Sequence, residues 1–571
     1  MKLGLRWPEW RLPDRVGWRD HVIGAALGLA YVLWLVATAR SLGFPRDEGV
    51  YFHAGESYVR WWRLLLTTPH EALKPNVIDG AWSFNSEHPP LMKTLFGVSW
   101  WFFHEQLHIF QDASTAFRLP GMASAGLALW VTYLFGARAY GRVAGLVGAI
   151  LLGLMPRVFF HAHLACFDVP ITAMWILCVY IHWRAQAEGG YLWAIATGVV
   201  FGLALATKHN AWMLPVVCIP HALCVHREAI GKGLRSGQIV IPSSLVMMAL
   251  LGPLVMYALW PHLWNDPLGR VQAYMQFHLN HEYYNIEFLG RNYFSPPSPK
   301  AYLPVMVVAT VPSVTLVLAA MGIGERAKLG ALRAWSWTRS WVAPAAEERP
   351  KADAAQTDLL LALSLLVAIG PFFLPKTPIF GGTKHWMPAY PVLAIFAGHG
   401  FALIRRRAHR VLEPRIGKRV WRVAAEVALT LSILLAPLLT TAHSHPFGLS
   451  AYVPLVGGTA GGADLGLNRQ FWGFTSQTAA AEYLNAHAPR GSVVFIHDTT
   501  WDAWSRMQQE GRVRSDLRAA FAPGEADFVL VEHELHMNEV DYSAWVGIGT
   551  DAPTYVVQHD GVPIVSIYKR R

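Results

Sequence analysis

The feature that most limits how this chain can fold is a series of eleven apolar runs. They lie near residues 21–42, 118–136, 143–161, 168–184, 191–207, 211–225, 239–260, 301–322, 357–374, 385–404 and 423–442. Most are close to the roughly 20 residues that a helix needs to cross the hydrocarbon of a bilayer. In lipid the backbone has to satisfy its own hydrogen bonds, so runs of this length predict helices. Charge agrees: 15% of the 571 residues are Asp, Glu, Lys or Arg, against about 25% in soluble domains. The expectation is a polytopic α-helical membrane protein with about 11 transmembrane helices.

The same runs explain the net charge of +10. A basic chain can signal nucleic acid, but here Lys and Arg gather in short loops between apolar runs, where membrane topology accounts for them. With the N-terminus inside, Arg138 and Arg142, Arg184, Arg227 to Arg235, Arg326 to Lys351 and Arg405 to Arg422 all fall on the inner side. Nucleic acid is therefore excluded as a partner, and membrane lipids are expected. The segment before residue 21 carries Lys2, Arg6, Arg11, Arg15 and Arg19, and Trp7, Trp10 and Trp18 suit the headgroup layer. The first apolar run is long for a cleaved signal, so it reads as an uncleaved helix. Of the four cysteines, Cys166, Cys178, Cys218 and Cys224, three lie inside apolar runs, and no disulfide or zinc spacing is present.

The polar remainder sorts to the outer side. The division predicted is a membrane part, 1–442, with an outer loop at 43–117, and a small outer α/β domain, 443–571. Leu91 to His104, straight after Pro89-Pro90, reads as a helix along the membrane face. In the outer domain Val493 to Ile496, Phe528 to Val531 and Tyr555 to Val557 read as strands, and Thr478 to Ala486 as a helix. Residues 323–356 read as a polar, partly disordered inner loop. Gly457 to Gly462 reads as a flexible connection, because no strand precedes it.

Asp47 and Glu48 directly follow the first apolar run. They read as a solvated pair marking a helix end, or as a general base with a supporting neighbour. Glu87 and His88 are held before a double proline that starts a helix. Arg157, His161, His163 and Asp168 crowd one outer turn, where Asp168 either pairs with Arg157 or serves a site. Lys208 and Lys384-His385 stand at two other outer helix ends. Either lysine can snorkel to water, or meet a phosphate as a compact charge. No cofactor is predicted. A divalent metal on Glu87 and the histidines of 262–281 is conceivable, but no tight ligand spacing supports it.

Taken in order, Asp47-Glu48, His88-Pro89-Pro90-Leu91, Arg118-Leu119-Pro120, Pro156-Arg157 to Asp168-Val169-Pro170, Thr207-Lys208 and Lys384-His385-Trp386 form a pattern. Over roughly residues 20–400 it resembles the GT-C glycosyltransferases, in particular bacterial relatives of the dolichyl-phosphate-mannose protein O-mannosyltransferases and the lipid A aminoarabinose transferases. That resemblance implies a polyprenyl-phosphate sugar as donor and transfer with inversion to an acceptor hydroxyl on a protein or glycolipid. The outer face of the cytoplasmic (inner) membrane is the implied location. It makes Asp47 the expected base with Glu48 supporting, puts Lys208, Lys384 and His385 on the donor phosphate, and has Arg157 and Asp168 shape the site, with His88 contacting substrate. His88 stands where the aminoarabinose transferases tend to have Lys, and His385-Trp386 where Arg-Tyr is commoner. The sugar and the acceptor stay open. The rival readings are a transporter or flippase for lipid-linked sugars, with no chemistry, and a non-catalytic assembly subunit.

Overall fold

The computed structural model describes residues 16–571 apart from 340–352, 354, 378, 380, 413–418, 471, 473–477 and 535–537. Trp7, Trp10 and the basic residues before 16, with Lys351, Arg415 and Lys418, lie outside the described residues.

All eleven apolar runs fall on helices, but they are not eleven straight crossings. Among the described residues, four helices are long and apolar enough to cross a membrane: Trp18–Ser41, Ala113–Tyr140, Met387–Val411 and Val420–Ser444. Counting each of three bent pairs as one span raises the number to seven. Two of the bends have the same cause. Pro156 and Pro312 force the residue before them out of the helical region, and Met155 and Val311 are indeed extended. The chain turns by 70° and 117° at these points. Tyr191–Leu205, Ser243–Leu259 and Thr357–Phe373 are apolar but shorter. Met387–Val411 is the central helix, with 78% of its apolar window buried, whereas Val420–Ser444, at 6%, is mostly exposed or half-buried.

The outer loop 43–117 is more structured than its sequence suggested. Arg46–Thr67 is a 22-residue helix. Tyr51, Phe52, Gly55, Tyr58, Val59 and Trp61 are buried along one side of it, the spacing of a helix face. The expected helix at Leu91–Ser99 is present and widens into a π-helical turn at Trp100–Gln106. These two helices touch backbone to backbone at Gly55 and Gly97: a Cβ on Gly97 would lie 2.0 Å from the Gly55 carbonyl oxygen. No larger residue fits without parting the helices. The inner stretch 323–356 also differs from expectation, because the helix Ser313–Arg339 occupies its first half.

The expected strands and helix of the C-terminal region all form. β1 (Ile286–Phe288) and β2 (Arg291–Tyr293) make a separate hairpin in the outer loop 261–300, which the sequence did not reveal. β3 (Val493–Ile496), β4 (Arg518–Ala519), β5 (Phe528–Glu532), β6 (Tyr555–His559) and β7 (Val562–Lys569) build one sheet in the order β4-β3-β5-β7-β6. β3 runs parallel to β4 and β5, and β7 antiparallel to β5 and β6. Gly457 is left-handed and the glycine tract starts a short helix, Gly458–Asp464, where a flexible connection was expected.

The sheet region is packed onto the membrane helices. Phe44, Phe52 and Phe117 share one buried apolar cluster with Trp504, Leu530 and Ile567. Each such side chain contributes about 1.5–3 kcal/mol when fully buried. Polar contacts fix the register: Glu510 accepts from the Ser114 amide at 2.6 Å and its hydroxyl at 2.9 Å, and Arg506 pairs with Glu56.

Candidate active site

Pro45 precedes the helix Arg46–Thr67 and places Asp47 and Glu48 in its first turn. Carboxylates there are favoured by the exposed amides of the helix start. The two then diverge. Asp47 lines a cavity of about 860 Å³ that opens where the membrane helices end. Glu48 is fully buried behind it and does not line the cavity. Both of its oxygens are held by Arg118, through Nε at 2.9 Å and Nη2 at 2.5 Å, and Oε1 also accepts from the Ala165 amide at 2.7 Å. Arg118 further donates to the Ala39 and Gly43 carbonyls. One buried ion pair thus ties together the first membrane helix, the helix that presents Asp47, the helix Ala113–Tyr140 and the turn before Asp168.

Two lysines line the same cavity. Lys208 gives Asp168 a hydrogen bond of 2.6 Å, and His161 Nδ1 lies 3.8 Å from the other Asp168 oxygen. The pairing of Asp168 with Arg157 that the sequence left open does not form. Arg157 lies over the Tyr452 ring, 5.3 Å from its centroid, with its Nη2 donor 3.5 Å from the Ala451 carbonyl, and it stays outside the cavity wall. Lys384 enters from the turn Gly382–His385. Its ammonium is pushed below its ordinary range by burial, with Asp168 and Asp47 drawing it back up. His385 Nε2 accepts from the Gly381 amide at 3.2 Å, which fixes its ring.

The third wall is the loop before Pro89. Glu87 and His88 both face the cavity, and His88 Nδ1 is buried without a protein partner. Burial, reinforced by Lys93, keeps the His88 imidazole well below its usual range, so it is neutral. The loop is held from below by Lys93, fully buried, whose Nζ donates to the Asn85 carbonyl at 2.5 Å and the His88 carbonyl at 2.9 Å. Burial pulls this ammonium down to about 7.

Of the eight residues singled out from sequence, the cavity wall gathers Asp47, His88, Asp168, Lys208, Lys384 and His385; Glu48 and Arg157 lie outside it. The proposed metal ligands do not come together. His278 Nε2 meets the Glu87 backbone carbonyl at 2.9 Å, its ring stacks on His209, and His262 lies beside Arg270. Among the described residues, Glu87 and these histidines form no group close enough to share an ion.

Sequence reasoning missed Trp472, which reaches the site from the C-terminal region. Its Nε1 donates to Asp47 Oδ2 at 2.5 Å, its carbonyl accepts from the Arg46 amide at 3.0 Å, and the Lys384 ammonium sits 4.0 Å from its ring centroid. Trp472 has a φ of +81°, in the left-handed region that a bulky residue rarely adopts. Strain of this kind, of order 1–3 kcal/mol, persists where the surroundings impose it. Asp498, also from the C-terminal region, pairs with Arg46 at 2.7 Å and lines the same cavity. A tryptophan and an aspartate far along the chain carry no local signal of this placement.

The arrangement offers several carboxylates, Asp47 among them, two ammonium groups and neutral imidazoles around one water-accessible space. That set can take a proton and stabilise a departing anion.

Residues 88–257 match the family model described as dolichyl-phosphate-mannose-protein mannosyltransferase. No curated protein matches the chain. Among solved structures, the chain is similar to ArnT from Cupriavidus metallidurans bound to undecaprenyl phosphate, at 16% identity over 96% of this chain and 97% of that one, with a TM-score of 0.44. It is similar to the Archaeoglobus fulgidus oligosaccharyltransferase in the apo form, at 11% identity over 93% and 71%, with a TM-score of 0.46. It is also similar to the S. cerevisiae protein O-mannosyltransferase Pmt1-Pmt2 complex bound to the sugar donor, at 12% identity over 76% and 91%, with a TM-score of 0.45. The likeness to the dolichyl-phosphate-mannose-protein mannosyltransferase family is carried by the segment 88–257.

Proposed function

We propose that this protein is an inverting glycosyltransferase that moves a sugar from a polyprenyl-phosphate donor to an acceptor hydroxyl, at the outer face of the cytoplasmic membrane. The observation that carries the reading is the sharing of one cavity by Asp47 and the pair Lys208 and Lys384. The acceptor hydroxyl gives its proton to Asp47. Its oxygen forms a bond to the anomeric carbon while the bond from that carbon to the phosphate oxygen breaks, and the electron pair leaves with the phosphate. Base and leaving group on opposite sides of the sugar make a single displacement, hence inversion.

The leaving phosphate gains charge as the bond breaks, so cations held in place act more strongly on the transition state than on the substrate. Lys384 and Lys208 are held in this way, one over Trp472 and one on Asp168. His88, which lines the cavity and has a buried ring nitrogen without a protein partner, is assigned to the donor or its sugar, and His385 to the phosphate. Glu48 is assigned a positioning role, because Arg118 and the Ala165 amide occupy both of its oxygens. Arg157 shapes the wall from behind.

The test is purified protein given a labelled polyprenyl-phosphate sugar and a hydroxyl acceptor pool from the native membrane. Free polyprenyl phosphate and a labelled product of inverted anomeric configuration are expected. Donor that crosses a proteoliposome membrane unchanged, with no phosphate released, would instead establish the transporter reading.

A further inference from the structure

The last membrane helix, Arg419–Ser444, ends against the hairpin that joins β6 to β7. His559 pairs with Val562 across that hairpin, so Asp560 and Gly561 form a two-residue turn. Their φ values, +50° and +76°, are both left-handed. Such turns demand this, and Asp-Gly supplies it at low cost. The turn therefore fixes Asp560 beside His559 on a rigid tip.

His443, next to last in the helix, faces that tip. His443 Nε2 lies 2.8 Å from Asp560 Oδ1, and His559 Nε2 lies 3.8 Å from Asp560 Oδ2. One ligand atom from each of the three residues falls within 4.8 Å of the other two. His559 is only 7% exposed, and its Nε2 is buried without a hydrogen-bond partner. Its ring stacks on Phe447 at 4.9 Å, which fixes the ring plane. An ion pair between His443 and Asp560 explains the short contact, yet it leaves the buried nitrogen of His559 unsatisfied, at a cost of roughly 1–3 kcal/mol. A cation satisfies all three groups together.

Two imidazoles and one carboxylate make a zinc donor set, whereas calcium and magnesium prefer oxygen alone. We propose that His443, His559 and Asp560 bind one zinc ion, with water in the fourth position, and that the ion staples the last membrane helix to the sheet. None of the three lines the large cavity, so the site is separate from the transfer chemistry. Zinc–ligand bonds of about 2.0–2.1 Å require His443 and Asp560 to part slightly around the ion while His559 draws in. His443, with a side chain 66% exposed, has room to make that adjustment.

The experiment uses the full-length protein in detergent, stripped with a chelator, desalted and titrated with zinc chloride. Bound zinc is counted by mass spectrometry, affinity is read by competition with a chromophoric chelator, and melting is followed with and without the ion. Wild type is expected to hold a single zinc and to melt higher with it. Asp560→Asn keeps the turn, because Asn-Gly suits the same geometry, and removes the carboxylate. His443→Ala removes an exposed imidazole. Each is expected to weaken zinc at least about tenfold, since even groups that only support a ligand cost that much. Each should also abolish the zinc-dependent rise in melting, while His278→Ala in the large cavity leaves both intact. Absence of zinc from wild type at micromolar metal overturns the proposal. So does wild-type affinity in both hairpin and helix variants, or loss of the ion in His278→Ala alone.

Discussion

Two helices begin at the cavity with acidic residues in their first turns, and they use them in opposite ways. At Arg46–Thr67, Glu48 turns inward and is locked by Arg118, while its neighbour Asp47 is left facing the space. At Asp168–Glu188 the acidic residue itself faces the space, already bonded to Lys208. In the proposed reaction the first helix separates structural from chemical work between adjacent carboxylates. The second joins both in one residue, so Asp168 positions a cation and partly offsets its charge. Adjacent residues of the same type need not share a role when the helix turns them about 100° apart.

This comparison is most easily broken at Arg118. Arg118→Ala leaves Glu48 buried and uncompensated, and should cost about 3–5 kcal/mol of stability. The expected outcome is a large fall in melting temperature and yield, with whatever activity survives reduced in proportion to the folded protein. At the second helix, Lys384→Ala and Lys208→Ala should each lower turnover about 10²-fold or more with little change in melting, as expected when one donor to developing charge is lost. If Lys208→Ala instead unfolds the protein, Asp168 and Lys208 are a structural pair like Glu48 and Arg118, and the contrast disappears. Trp472→Phe keeps the ring for Lys384 and removes the donor to Asp47. A single such bond is worth about 1 kcal/mol, so a several-fold change in turnover is expected.

Lys93 sharpens the comparison through pH. Its folded value, about 7, lies below the ordinary lysine value of 10.5. Between these values the unfolded chain binds the proton and the folded one does not, so this group makes stability rise with pH, by at most about 1.4 kcal/mol per unit. Below about pH 7 both forms are protonated and the contribution is flat. Chemical denaturation of wild type and Lys93→Met across pH 7 to 10 should show the steeper rise in wild type only.

Most of this was legible in the sequence where physics acts locally. Apolar runs gave the helices, whereas the bends at Pro156 and Pro312 were not read from the sequence, where each apolar run looks continuous. The ordered positions Asp47, His88, Asp168, Lys208 and Lys384 do meet in one cavity. What was hidden depends on contacts between distant residues. Tyr51, Gly55 and Tyr58 carry a helical period, but a run of mixed polarity after a membrane helix reads as loop. Lys93 looks like a cation on a surface helix until three groups of the 85–88 loop close over it. Trp472 sits more than 400 residues from Asp47, and no pattern near it announces the meeting.

The most direct test is the turnover of Asp47→Asn at saturating donor. Asparagine can still accept the bond from Trp472 and leaves the Glu48 and Arg118 pair untouched, so the fold and donor binding should persist. The account predicts release of polyprenyl phosphate slowed by about 10²–10⁴-fold. Release at the wild-type rate in a normally melting protein would contradict it.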